Sequence, residues 1–146
     1  MHPIFRTINF TLAAILRSPL HGLISRHLLL ITVTGRQSQR AYTVPVSYQL
    51  HARKVRIISE RTDRWWRNLR GDANVTLQVR GRSVVGQASV IEQADHVLLP
   101  LLEELQSAPS LAKMLKVGRD EHGQFSLPDM HRSADRVVVV QVDLKS

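Results

Sequence analysis

The 146-residue sequence predicts a mainly β fold with helices (α+β): an antiparallel barrel with flanking helices. Three observations point there. Short runs rich in Val, Ile and Thr alternate with turn residues, as strands joined by hairpins do. Helical spacing of apolar residues occurs at the start, in the middle and before the last strand. No repeat, low-complexity segment or linker interrupts the chain, so residues 1–146 read as one domain, long enough to bury roughly 70% of the surface its unfolded chain exposes.

Residues 1–20 read as an amphipathic helix, with Ile4, Phe5, Ile8, Leu12, Ile15 and Leu16 on one stripe. The apolar stretch between Arg6 and Arg17 is too short to span a membrane, and no small-residue cleavage site follows it. Two readings stand for this helix: it packs on its own domain, or it lies on an anionic membrane surface. After Ser18 and Pro19 the spacing predicts strands at His27 to Thr34, Ala41 to Gln49 and Lys54 to Ser59. Thr62 or Asp63 is placed to cap a short helix WWRNLR, with Gly71 as its left-handed terminus. A second hairpin follows, Asn74 to Arg80 and Ser83 to Ile91, turning at Gly81 and Arg82. Leucines at 98, 99, 101, 102 and 105 suit a helix over Ala94 to Gln106, kinked or started late by Pro100. Residues 107–131 read as irregular apart from a short helix at Leu111 to Val117, and Arg136 to Leu144 closes the chain as a buried strand.

The formal charge of +8 calls for an anionic partner: nucleic acid, an acidic membrane, or a phosphorylated or carboxylated small molecule. A merely solvated basic surface is the plain alternative. Nucleic acid is the weakest choice, because no groove-reading helix and no aromatic platform interleaved with basic residues is visible. Cysteine is absent, which fits a reducing cytoplasm and removes thiolate chemistry. The seven histidines show no pair at ligand spacing, so no metal site is expected. Nucleophile-elbow, phosphate-loop, zinc-protease and dinucleotide signatures are all missing. What remains is arginine around two turns: Arg36, Ser38 and Arg40 at the first hairpin tip, and Arg61, Arg64 and Arg67 around the start of the tryptophan helix. Guanidinium forks suit phosphate and carboxylate oxygens.

The run LLLITVTGRQSQRAYTVPVSY, followed by RWWRNLRGDANVTLQVRGR, resembles the deazaflavin (F420)-dependent nitroreductase and quinone reductase family of split β-barrel, FMN-binding-protein-like oxidoreductases. Those proteins carry a T-T-G-R-K-S/T-G segment with a later proline, then a W-Y/W-x-N-L segment. The likeness covers roughly residues 28 to 92, and Gln37 and Gln39 stand where the family has lysine and glycine. The resemblance implies that Thr34, Arg36, Gln37 and Ser38 grip the cofactor's phosphate and acidic tail. It likewise implies that Ser59, Arg61, Arg64, Trp65 and Asn68 line the deazaflavin. It implies hydride transfer from reduced F420 to a quinone, nitroaromatic or enone. FMN in the same barrel, or a carrier of a hydrophobic or anionic cofactor, are the alternatives. No catalytic side chain is assigned; Tyr48 or solvent is the available proton source. Trp65 and Trp66 also suit core anchors, and Asn68 a purely backbone-bonding role. Arg80 and Arg82 flank a turn and read as solvated. The expected partners are a small-molecule cofactor, a hydrophobic substrate and a second copy of the chain. The expected location is the cytoplasm, with residues 1–20 as the means of touching the inner face of a membrane.

Overall fold

A computed structural model describes residues 28–79 and 81–145, so the expected helix over residues 1–20 and the break at Ser18 and Pro19 lie outside the described residues. The chain divides into two compact units. One holds the described residues up to Ile57, Arg64–Val90 and those from Val140 onward; the other holds Ile58–Asp63 and Ile91–Val139.

The first unit is built on a seven-stranded sheet in the order β2-β1-β5-β6-β7-β4-β3. Its strands are β1 Leu28–Thr34, β2 Ala41–Ser47, β3 Gln49–His51, β4 Lys54–Glu60, β5 Ala73–Val79, β6 Arg82–Ile91 and β7 Val137–Leu144. The pairs β1–β2, β1–β5, β3–β4 and β5–β6 are antiparallel. The expected strand Ala41 to Gln49 is broken at buried Tyr48. Only that residue separates β2 from β3, yet the two occupy opposite edges of the sheet order. Consecutive Cα atoms are only about 3.8 Å apart, so the sheet must curl until its edges approach, which makes it barrel-like.

The registers explain why these residues are strands. Val33 faces Tyr42 and Ile31 faces Val44 on one side of the β1–β2 ribbon, while Thr32 faces Thr43 on the other with their hydroxyls 2.8 Å apart. Leu29 and Ile31 are fully buried, each worth about 1.5–3 kcal/mol of apolar burial. Pro45 is tolerated because β2 is an edge strand, where a missing backbone donor costs no second ladder bond. Gly86 is required by close approach: a Cβ there would stand 2.5 Å from Val142 Cγ1. The second hairpin turns one residue earlier than expected, since Val79 faces Arg82, with Gly81 at φ 76°.

The second unit has its own core of Val97, Leu101, Leu105, Leu115, Val117, Met130, Ala134, Val137 and Val139. Its helices are α1 Ala94–Ser107, α2 Leu111–Leu115 and α3 Leu127–Arg136. Pro100 is buried inside α1 rather than delaying its start. The region expected to be irregular contains α3. Ser126 caps it by accepting the Asp129 N–H at 3.4 Å, and Pro128 occupies its first turn. Among the described residues no helix is long and apolar enough to cross a membrane, and no cluster of three or more His, Cys, Asp or Glu could hold a metal ion.

Candidate functional site

The tip between β1 and β2 is a backbone-closed loop. Gly35 N–H donates to Arg40 O and Gln39 N–H donates to Gly35 O, both at 2.9 Å. Gly35 is buried, and a Cβ on it would stand 2.5 Å from Ser38 Oγ, so the loop closes only on glycine. Gln39 adopts φ 58°, the left-handed region that the family pattern fills with glycine, and its side chain donates to Arg36 O at 2.8 Å. Ser38 Oγ accepts the Arg40 N–H at 3.2 Å. Thr34 ends β1 with its side chain exposed, and Arg36, Gln37, Ser38 and Arg40 are exposed on the tip.

The tryptophan segment is a 3-10 helix, Trp65–Leu69, with Trp65, Trp66 and Leu69 buried. The expected cap does not form. Arg64 occupies the cap position without a side-chain bond, while Asp63 Oδ2 instead accepts from Ser59 Oγ at 3.2 Å. Gly71 does take the positive φ expected after this helix, at 77°. Both indoles are core residues, 7% and 1% exposed. The Arg67 and Arg70 guanidinium carbons lie 5.6 and 5.1 Å from the Trp66 ring centre, cation–π contacts that hold two cations beside the helix.

Asn68 joins these two segments. Its Oδ1 accepts the Arg36 backbone N–H at 2.9 Å, and its Nδ2 donates to Trp65 O at 3.1 Å and to the Tyr42 hydroxyl by a short hydrogen bond. The Arg36 guanidinium reaches Arg67 O at 3.5 Å. The two sequence segments that carry the family resemblance therefore meet in the first unit through one carboxamide. Among the described residues Arg36, Arg40, Arg64 and Arg67 make no ion pair.

Two expected site residues belong to the second unit and have internal partners. Ser59 is buried, its hydroxyl on Asp63 and on Glu60 O at 3.4 Å. Arg61 donates to four carbonyl oxygens: Glu92 at 2.7 Å, Val137 at 3.0 Å, Asp135 at 3.2 Å and Ala134 at 3.3 Å. A guanidinium so engaged ties the end of α3 to the β6–α1 junction. Tyr48, the expected proton source, is 6% exposed. Tyr42 was not singled out by sequence, because in the alternation of β2 it reads as an ordinary strand aromatic. Burial raises its phenol pKa, and the Asn68 hydrogen bond opposes that rise, so the group is neutral across the physiological range.

The tip thus presents guanidinium and hydroxyl donors, and the groups that complement donors are acceptor-only: phosphate and carboxylate. The curled antiparallel sheet defines a split β-barrel fold. Residues 18–109 match the family model F420H(2)-dependent quinone reductase, and the chain belongs to that family. The fold is similar to that of an F420-H2 dependent reductase (FDR-A), with 17% identity, TM-score 0.52, and coverage of 82% of this chain and 95% of that one. It is similar to a general stress FMN/FAD binding protein from Xanthomonas citri, with 12% identity, TM-score 0.51, and coverage of 85% and 79%. It is also similar to a protein whose structure is a domain-swapped dimer, with 16% identity, TM-score 0.54, and coverage of 97% and 99%. At these identities the likenesses speak to fold alone. No curated protein sequence matches this chain.

Proposed function

We propose that the protein is an F420H2-dependent oxidoreductase that passes hydride to a quinone, nitroaromatic or enone. The observation that carries this reading is the guanidinium- and hydroxyl-bearing tip of Arg36, Ser38 and Arg40, locked to the tryptophan helix by Asn68 in a chain of that family. A phosphodiester and glutamate carboxylates fit such a tip, since its exposed guanidinium groups make no ion pair among the described residues and Arg36 gives up at most its 3.5 Å bond to Arg67 O. Reduced deazaflavin, when bound, supplies the hydride. Arg36, Arg40 and Arg64 hold oxyanions; Ser38, whose oxygen already accepts the Arg40 N–H, keeps its O–H as a further donor. Thr34 and Gln37 border that cradle as uncharged neighbours. Trp65 and Asn68 support the wall of the site from inside, Asn68 by fixing the tip. Ser59 and Arg61 act by holding the second unit's fold rather than by touching the ligand. The chain works as one split-barrel domain in the cytoplasm, and as a homodimer, which the likeness to a domain-swapped dimer supports.

A second reading, FMN in the same barrel, is favoured by the FMN/FAD binding protein of the same fold, because an arginine and serine cradle recognises phosphate whatever the ring. Fluorescence titration of the protein with F420, FMN and FAD separates the two. Under the leading reading F420 binds, and Arg36→Ala weakens it by about ten- to a hundredfold, whereas exposed Arg82→Ala changes it by less than about twofold. Binding of FMN alone overturns the F420 assignment, and equal loss in both variants replaces a built cradle by diffuse charge.

A further inference from the structure

Tyr42 sits on β2 opposite Val33, on the face that carries Ile31 and Val44, and its hydroxyl meets the 3-10 helix at Asn68. The direction of that hydrogen bond is fixed by the other two bonds of the carboxamide. Asn68 Oδ1 faces the Arg36 backbone N–H, which can only donate; Nδ2 faces the Trp65 carbonyl, which can only accept. The amide cannot be flipped without losing both. Its remaining N–H therefore points at the Tyr42 oxygen, and the phenol is the acceptor. A phenol has one hydrogen to donate, and among the described residues nothing accepts it. The same polarity holds at Ser38, whose oxygen accepts from Arg40 and whose hydrogen is left over. Two hydroxyls are thus turned into donors around Arg36, at the two arms of the contacts that shape the tip.

We propose that Tyr42 is a ligand-contacting hydrogen-bond donor of this site, its oxygen held by Asn68 so that its O–H is left for an oxyanion of the bound ligand. The proposal rests on the reading that the tip takes an anionic cofactor, and it adds a residue that neither the family pattern nor the charge distribution marks. Burial keeps the phenol protonated, so it donates at any pH at which the protein is folded near neutrality. A purely structural Tyr42 would need only its oxygen, and its loss would register in stability alone.

The test uses Tyr42→Phe beside the unaltered protein, with affinity for F420 and FMN measured by fluorescence and folding followed by thermal unfolding. The chain has two tyrosines, so carbon NMR of the labelled phenol carbons resolves the titration of Tyr42 in the unaltered protein, with and without ligand. Binding about tenfold weaker in the variant, and a Tyr42 titration displaced to higher pH by the ligand's negative charge, are expected. If the variant binds F420 as the unaltered protein does while Arg36→Ala does not, the Tyr42 donor is overturned and the cofactor reading stands. If FMN binds in place of F420 and Tyr42→Phe weakens it, the donor stands and the F420 reading falls. If the unaltered protein binds neither, both fall. The ligand-induced displacement of the titration decides the matter even if the variant folds poorly, and its absence in a protein that binds ligand overturns the proposal.

Discussion

The backbone amide of Arg36 and the side-chain oxygen of Asn68 are 2.9 Å apart, across 32 residues of sequence. That bond sets the position of the hairpin tip, because the amide belongs to the residue whose guanidinium is offered to the ligand. The same carboxamide satisfies Trp65 O and Tyr42, so a single side chain holds three groups of the first unit. Replacing it leaves the Arg36 N–H and the Tyr42 oxygen without their carboxamide partner. Asn68→Ala should therefore destabilise the fold by about 1–3 kcal/mol, seen as a fall in Tm of about 3–10 °C, and weaken F420 binding in the same variant. Lost affinity with an unchanged Tm would mean that Asn68 touches the ligand directly.

Arg61 gives the opposite expectation. Its guanidinium serves Glu92, Ala134, Asp135 and Val137 carbonyls, and its backbone N–H serves Arg136 O at 2.8 Å. Arg61→Ala should cost about 1.5–3 kcal/mol, since hydrogen bonds from a charged donor are the strong ones, while leaving the dissociation constant for F420 within about twofold. Arg61→Lys should rescue little, because one ammonium cannot reproduce a planar fork. Unfolding curves and a titration on the same sample check both halves. Unchanged stability with lost binding would return Arg61 to the ligand.

Asp129 predicts a pH dependence. Its Oδ2 accepts the Gly118 N–H at 2.9 Å, the largest cause of a pKa held below the usual carboxylate value, with Arg132 adding charge attraction. A folded-state pKa below the unfolded one means that the unfolded chain binds the extra proton first. The stabilisation is then fully present above about pH 4 and is lost as pH falls through the lower folded value. Asp129→Asn should accordingly lower Tm at neutral pH, with the gap from the unaltered protein closing in strong acid. A gap that stays constant through the acid range would rule out this linkage.

Sequence alone makes the sheet legible because β1 and β2 alternate β-branched residues, and positive φ is foreseeable at Gly71 from the helix it ends and at Gln39 from the family glycine it replaces. The partners of each arginine are not. Arg36 and Arg61 look alike as cations in a sequence, yet one lies exposed at a tip while the other is fixed by carbonyls supplied from residues 92 to 137. Long-range bonds of that kind leave no local pattern. Helix α3 escapes for a different reason: its buried residues are Met130, Ser133 and Ala134, too few apolar side chains to show a period. The signal that could have found it is the cap, Ser126 followed by Pro128 and Asp129.

Gln37 and Gln39, where the chain departs from the family pattern, give the last prediction. Gln39 is at φ 58°, where a non-glycine residue costs about 1 kcal/mol, so Gln39→Gly relieves strain. It also removes the bond from Gln39 Nε2 to Arg36 O, exposed and therefore worth about 0.5–1 kcal/mol, and adds about as much again in unfolded-chain entropy. These contributions oppose one another at similar size, so Gln39→Gly alone should shift Tm by no more than about 3 °C and F420 affinity by less than about threefold. Gln37→Lys differs: residue 37 is exposed on the donor tip, and an added cation facing phosphate is worth up to about 1 kcal/mol, roughly a fivefold gain that salt should erase. The double variant should thus bind F420 more tightly than the unaltered protein almost entirely through the lysine. Titrating all three variants at low and high salt checks this. A gain that follows the glycine and ignores salt would show that Gln39 strain, not charge, limits the site.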